Sequence, residues 1–253
     1  MSPFVDRFAF ASGEYASYRP HYPDALFDWL RRRLPNANWV WDCGTGSGQA
    51  AGALASTFPH IVASDPSISQ LAHAERTERL SYVAMTAETC ALADGSIDLV
   101  TVAQALHWFD RDAFFDEVKR VLVADGLLAV WSYGLGSIEP GVDEVLRHFH
   151  DVTVGPFWSP ARRLVESGYA GIAFPFNEEK APEMRMQASW TLEQLGGYLS
   201  TWSAVGKCRA VTGIDPLPAL MQALTERWGA PQVARRITWP LRLRVGSPRS
   251  RGG

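Results

Sequence analysis

Apolar and polar positions fall in blocks along this chain, and the blocks alternate between a helical period and short continuous runs. Over residues 23–34, Leu26, Phe27 and Leu30 recur at helical spacing behind a proline suited to a first turn. Apolar runs at about 39–42, 61–64, 80–84, 97–103 and 126–133 read as strands. Helical patterns at about 48–57, 67–76 and 111–123 separate them. This alternation predicts an α/β fold with a mainly parallel sheet covered by helices on both faces. Right-handed crossovers then put a ligand beyond the carboxyl ends of the strands, near the point where strand order reverses.

Past Tyr133 the pattern is less regular. Residues 142–150 read as a helix, and 156–160, followed by Arg162, Arg163, Leu164, Val165 and Tyr169, as a loop and a short helix. Met184–Trp190 fits an edge strand, followed by Thr191 as an N-cap, Glu193 in the first turn, and Leu192, Leu195, Leu199 and Trp202 as one apolar helix face. Pro216 opens another helix through Leu220, Leu224 and Trp228. Residues 236–245 fit a strand returning to the sheet, with Pro240 where no partner needs its missing amide. The expected organisation is an N-terminal arm and helix over 1–34, a ligand-binding core over 35–136, a helical cap with final strands over 137–245, and a disordered tail over 246–253.

Composition narrows the partners. With 253 residues, 47% hydrophobic and 20% charged, the chain can bury one substantial core. A formal charge of −3 gives no basic field for nucleic acid, and Arg31, Arg32 and Arg33 suit the solvated end of a helix. Cys43, Cys90 and Cys208 are far apart and odd in number, as in a cytosolic protein with reduced thiols and no zinc site. No apolar run approaches the roughly 20 residues that span a bilayer, so a cytoplasmic protein without a membrane partner is expected. No metal motif or hydrolytic triad stands out.

The candidate chemistry begins where the first strand, Trp39-Val40-Trp41-Asp42, meets Cys43-Gly44-Thr45-Gly46-Ser47-Gly48. Glycines admit positive φ and let a ligand lie against the main chain, and the free amides of the following helix face the same space. A dinucleotide fingerprint needs Gly-x-Gly-x-x-Gly, but Gln49 stands where its last glycine belongs. The second strand ends at Asp65, about 20 residues past the glycines, where a carboxylate can grip two ribose hydroxyls or cap the next helix. Pro66 follows it.

The Asp-x-Gly-x-Gly-x-Gly pattern resembles the first motif of class I S-adenosylmethionine-dependent methyltransferases. Thr86-Ala87-Glu88, Ser96-Ile97-Asp98-Leu99 and Gln104-Ala105-Leu106-His107-Trp108-Phe109-Asp110 follow in order. These resemble the subgroup that includes trans-aconitate methyltransferases and fungal small-molecule relatives. The family often has Leu-Pro soon after the Glu, whereas this chain has Cys90-Ala91.

The resemblance implies a Rossmann-like seven-stranded sheet with an antiparallel last strand, and S-adenosylmethionine as cofactor, leaving S-adenosylhomocysteine, with no metal. It sets Asp42, Gly44, Thr45, Gly46, Gly48, Asp65 and Pro66 around the cofactor, with Ala87 and Glu88 beside the adenine and Gln104 by the methionine part.

Tyr15, Tyr18, Arg19 and Tyr22 belong to a segment similar to a Tyr-x-x-Tyr-Arg-Pro-x-Tyr-Pro arm of related enzymes that folds across the cofactor. Tyr18 and Arg19 are candidate cofactor contacts, and Tyr15 and Tyr22 substrate contacts. An aromatic face attracts a sulfonium, and Arg19 suits the methionine carboxylate or a substrate carboxylate. His107 is the catalytic candidate, as a base, an orienting group or a structural histidine. Trp108 and Trp202 are candidate substrate walls; Trp202 is expected to share a helix with Tyr198, Ser203 and Lys207. Arg162 and Arg163 either neutralise an acidic substrate or lie on the surface.

A small molecule is therefore the expected methyl acceptor, through a carboxylate first and the oxygen or nitrogen of a secondary metabolite next. The alternatives are a nicotinamide-dependent oxidoreductase and a non-catalytic cofactor-binding or adaptor protein. Oligomeric state is not fixed by the sequence.

Overall fold

The protein is described by a computed structural model covering residues 19–248; Tyr15 and Tyr18 lie outside the described residues. After α1 (Asp24–Arg33), strands and helices alternate: β1 (Trp39–Cys43), α2 (Gln49–Ala55), β2 (His60–Ser64), α3 (Ile68–Ala72) and β3 (Leu80–Val83). Then come β4 (Ile97–Ala103), a 3₁₀ turn at Leu106–Trp108, α4 (Arg111–Val121) and β5 (Leu122–Tyr133). The second half holds α5 (Pro140–His148), a π-helical turn at Phe149–Thr153, a 3₁₀ turn at Gly155–Phe157, α6 (Arg162–Glu166), β6 (Asn177–Glu179) and β7 (Met184–Trp190). It ends with α7 (Leu192–Ser200), α8 (Ser203–Thr212), α9 (Leu217–Trp228) and β8 (Arg235–Ser247).

Strand order in the sheet is β3-β2-β1-β4-β5-β8-β6, with β7 also paired to β8. The first five strands are parallel, and β8 runs antiparallel to β5, β6 and β7. Central strands covered on both faces are apolar throughout: in β1 every residue after Trp39 is buried. One core, with Leu26, Leu54, Trp131 and Trp239, fills one set of helix–sheet contacts, and another, with Trp41, Phe114, Val130 and Tyr169, fills a second. Chain order reverses between β1 and β4, whose ends bring Cys43 and Ala103 to the same edge of the sheet.

Several expectations need correction. The sheet has eight strands rather than seven, because β6 and β7 share the far side of the long β8. β8 continues to Ser247, where Gly246 pairs with Leu128 and Ser247 with Asn177, so residues 246 and 247 belong to the sheet and not to a tail. Pairing of Ile97 with Leu122 holds the chain extended as soon as α4 ends, which starts β5 four residues before the expected 126. Trp202 is not on the helix of Tyr198: α7 stops at Ser200, and Trp202 is the extended residue preceding α8.

Thr191 does cap α7. Its hydroxyl accepts from the Gln194 amide, and the Gln194 side chain accepts from the Thr191 amide. Thr191→Ala is expected to cost about 1 kcal/mol, seen as a lower urea midpoint with an unchanged slope.

Candidate active site

The loop between β1 and α2 follows from three glycines with positive φ, each held for a different reason. A Cβ on Gly44 (φ +70°) would lie 2.6 Å from the Ala105 Cβ, and one on Gly48 (φ +84°) would run into the Tyr82 hydroxyl. A Cβ on Gly46 (φ +56°) would meet only the Gln70 side chain, at 3.8 Å. Gly46 therefore opens into space, and that space is a cavity at the carboxyl ends of β1, β2, β4 and β5. Gly44, Thr45 and Gly46 form one wall, Asp65 and Gln70 a second, and Gln104, Ala105 and Trp108 a third. Arg19, Tyr22 and Tyr133 close it from the arm side.

Asp42 lies beneath this floor. Fully buried, it accepts hydrogen bonds of 2.6 Å from Thr45 Oγ1 and Thr101 Oγ1, so it ties the loop to β4 and does not line the cavity. Burial pushes its pKa up to about 6, against the opposing effect of the two hydroxyls. An acid held this way keeps its proton longer in the native state than in the unfolded one. Its ionisation therefore lowers stability as pH rises from about 3.8 to about 6, with no further change above that.

Asp65 is placed at the rim. Its Oδ2 accepts from the Gly46 amide at 3.0 Å and its Oδ1 from the Ser67 amide at 2.9 Å. The cap of α3 is Ser67, whose hydroxyl accepts from Gln70, rather than Asp65. Pro66 is half-buried beside it.

Gln104 is a non-glycine residue at φ +58°, a conformation that bulky L-residues adopt only under constraint. Its amide donates to Trp131 O and its side-chain nitrogen to Tyr133 O at 2.9 Å. Its side-chain oxygen is buried and accepts no hydrogen bond from the described residues. Arg19 donates to the Tyr133 hydroxyl at 3.1 Å, and its guanidinium lies 5.8 Å from the Tyr198 ring centre.

Other expected residues stand outside the cavity wall. Ala87 is buried in the core with Cys43 and Ala105, and Glu88 accepts from the Asp110 amide at 3.0 Å. His107 does not line the cavity itself but adjoins Trp108, which does; its Nδ1 is 3.1 Å from the Tyr169 hydroxyl and its ring packs against Trp108 and Tyr169. Burial first, and the charge of Arg162 second, push its pKa down to about 4. Trp202 is buried among Phe149, His150, Trp158 and Tyr198. Arg163 is exposed.

Sequence reasoning missed Tyr133, Gln49 and Gln70, the last a buried helix residue on α3 with no motif to mark it. Tyr133 ends β5, and the rule that pointed to Gln104 at the end of β4 would have found it. Gln49, noted only as the residue that breaks the dinucleotide spacing, donates its Nε2 to Pro20 O at 2.6 Å and so joins α2 to the segment before α1.

A glycine loop, a strand-end carboxylate and an unpartnered amide oxygen at a switch point define an α/β protein built for a nucleotide-like cofactor. Residues 41–130 match the methyltransferase domain family. A candidate methyltransferase of Dictyostelium discoideum is 32% identical over 229 residues, covering 89% of this chain and 87% of its own. A methyltransferase of Aspergillus candidus is 27% identical, covering 87% and 78%. The solved structure of a candidate type II methyltransferase from Anaeromyxobacter dehalogenans superposes with a TM-score of 0.85 at 41% identity, covering 91% and 98%. The chain belongs to the class I S-adenosylmethionine-dependent methyltransferases. No helix among the described residues is long and apolar enough to cross a membrane.

Proposed function

We propose that this enzyme methylates a small molecule, a carboxylate in the first instance and the oxygen or nitrogen of a secondary metabolite next. The observation that carries the cofactor assignment is Gly46, open to the cavity and hydrogen-bonded to Asp65, opposite the unpartnered Gln104 oxygen. A buried acceptor of this kind fits the ammonium of an amino acid, and Arg19 fits its carboxylate. Asp65 fits the ribose hydroxyls, and Ala87 with Glu88 the adenine side. S-adenosylmethionine, when bound, supplies an electrophilic methyl group on a sulfonium.

The protein's own contribution is alignment and exclusion of water. Orientation of reactants accounts for roughly 7–11 kcal/mol at its upper range, and Tyr22, Trp108 and Tyr133 supply apolar walls around the cavity. Carboxylate acceptors need no base at neutral pH. The carboxylate preference itself rests on the resemblance to the trans-aconitate subgroup and on the arginines near the site.

His107 is assigned to acceptor positioning. With a pKa of about 4 it is neutral at pH 7 but a weak proton acceptor. His107→Ala, at saturating cofactor, is expected to raise the acceptor KM while kcat falls by less than about tenfold. Loss of kcat by two orders of magnitude at constant KM would make it the base instead. The same variant should also remove a stability change: a histidine with a lowered native pKa weakens the fold as pH drops from about 6.5 to about 4.

The experiment that tests the function as a whole is incubation with methyl-labelled cofactor and a metabolite extract, read by mass spectrometry. A labelled small-molecule product supports it. Calorimetry showing NAD binding and no response to S-adenosylhomocysteine would favour a nicotinamide enzyme.

A further inference from the structure

Among the described residues one arginine, Arg19, lines the cofactor cavity; another, Arg162, is held on the other side of the His107 turn. The short helix α6 that carries it packs directly on the 3₁₀ turn Leu106–Trp108. The guanidinium of Arg162 lies 4.6 Å from the ring centre of Trp158, and its Nε donates to Glu166 Oε1 at 3.3 Å. Its side chain is only 21% exposed. Those two contacts fix the plane of the guanidinium and leave its terminal N–H groups without a described partner.

The platform beneath it is itself rigid. Trp158 donates its indole N–H to His150 O at 3.1 Å and packs on Trp202 at 5.5 Å. Trp202 meets Tyr198 edge-on, and Tyr198 in turn borders Arg19. A stack of largely buried rings thus links Arg162, through Trp158, Trp202 and Tyr198, to Arg19 at the cofactor cavity. The charge of Arg162 is felt at its two ends, by His107 and Tyr169 on one side and by Tyr198 on the other.

A guanidinium held against an aromatic ring, with only its Nε engaged by an ion pair, is suited to recognition of a carboxylate through its remaining donors. We propose that Arg162 is the specificity-determining residue of the acceptor site, binding an anionic group of the methyl acceptor above Trp158, between His107 and Tyr198. This rests on the reading of the chain as a small-molecule methyltransferase and goes beyond it by assigning the acceptor's charge to one side chain. Arg163, next in sequence and exposed, is the internal control.

The test uses binding and needs no natural acceptor. Protein saturated with S-adenosylhomocysteine is titrated with acetate, glutarate and benzoate, and with acetamide, glutaramide and benzamide. Tryptophan fluorescence and the arginine Nε–H resonances in NMR report occupancy; the Arg162 resonance is identified by its loss in Arg162→Gln. At least one carboxylate should shift that resonance and bind at least tenfold more weakly to Arg162→Gln, with partial recovery in Arg162→Lys and no change in Arg163→Gln. The matching amide should bind wild type and Arg162→Gln alike.

Equal carboxylate binding by wild type and Arg162→Gln, or no shift of the Arg162 resonance by any carboxylate, overturns the assignment. Unchanged S-adenosylhomocysteine affinity in Arg162→Gln shows that the variant is folded. Failure of the methyltransferase reading is a separate outcome, seen as wild-type protein that does not bind S-adenosylhomocysteine at all.

Discussion

Gly46→Ala should abolish high-affinity binding of S-adenosylhomocysteine while leaving the protein folded, and Gly44→Ala should do nearly the reverse. Both positions have positive φ, so both substitutions carry a backbone cost of about 1–2 kcal/mol. At Gly44 the new methyl would also sit 2.6 Å from the Ala105 Cβ and 3.0 Å from the Phe109 ring, with overpacking of about 1–3 kcal/mol to add. At Gly46 the methyl has room, but the room is the cavity. A ligand lying against the main chain there is displaced by a carbon's width, and a loss of roughly hundredfold in affinity, about 2.7 kcal/mol, follows. Calorimetry with S-adenosylhomocysteine and thermal melts of both variants separate the effects. Gly46→Ala binding as tightly as wild type would mean that Gly46 does not face the cofactor, and equal melting temperatures would mean that the Gly44 contacts are not tight.

Asp65→Ala is expected to weaken the same ligand by about two orders of magnitude. An ionised carboxylate offers about four acceptor positions, and the Gly46 and Ser67 amides engage one oxygen each from the protein side. Two ribose hydroxyls donating to such a group form charge-assisted bonds of about 1.5–3 kcal/mol each. The variant also strips the Gly46 amide of its acceptor, so loop order and ligand contact are lost together. Asp65→Asn keeps a carbonyl acceptor and should lie between the two. Comparing S-adenosylhomocysteine with its 2′-deoxy analogue checks the cause: the wild type should discriminate between them and Asp65→Ala should not.

The alternation of strands and helices through residue 133 was legible because the central parallel strands β1, β2 and β4 are buried on both faces and the helices carry one apolar face. The same burial made the site legible: residues at the ends of β1, β2 and β4 had to converge on one edge. What was not legible has physical reasons. Asn177-Glu178-Glu179 carries no apolar alternation, since β6 is a short, largely exposed strand set by its register with β8. Trp202 fits the helical spacing of Leu195 and Leu199, but the chain turns after Ser200, and periodicity does not register a break that keeps the apolar face buried. Asp42 looked like a ligand contact because it adjoins the glycines; only the two threonine hydroxyls reveal that it braces the loop from below. Arg162 could be noted as a cation but not located, because its place depends on the stacking of Trp158.

The shared use of β8 by β5, β6 and β7 imposes an order on biosynthesis. Strands β2 to β5 can assemble as they leave the ribosome, each finding a partner already made. β6 and β7 cannot, because their partner lies dozens of residues downstream, and the outer edge of β5 is uncovered for the same interval. An open apolar edge held for that time invites pairing with other nascent chains. The intervening helices α7, α8 and α9 emerge first and bring Leu199, Trp202 and Trp228 onto the core, so the aromatic stack around Trp202 can form before the strand that completes the sheet.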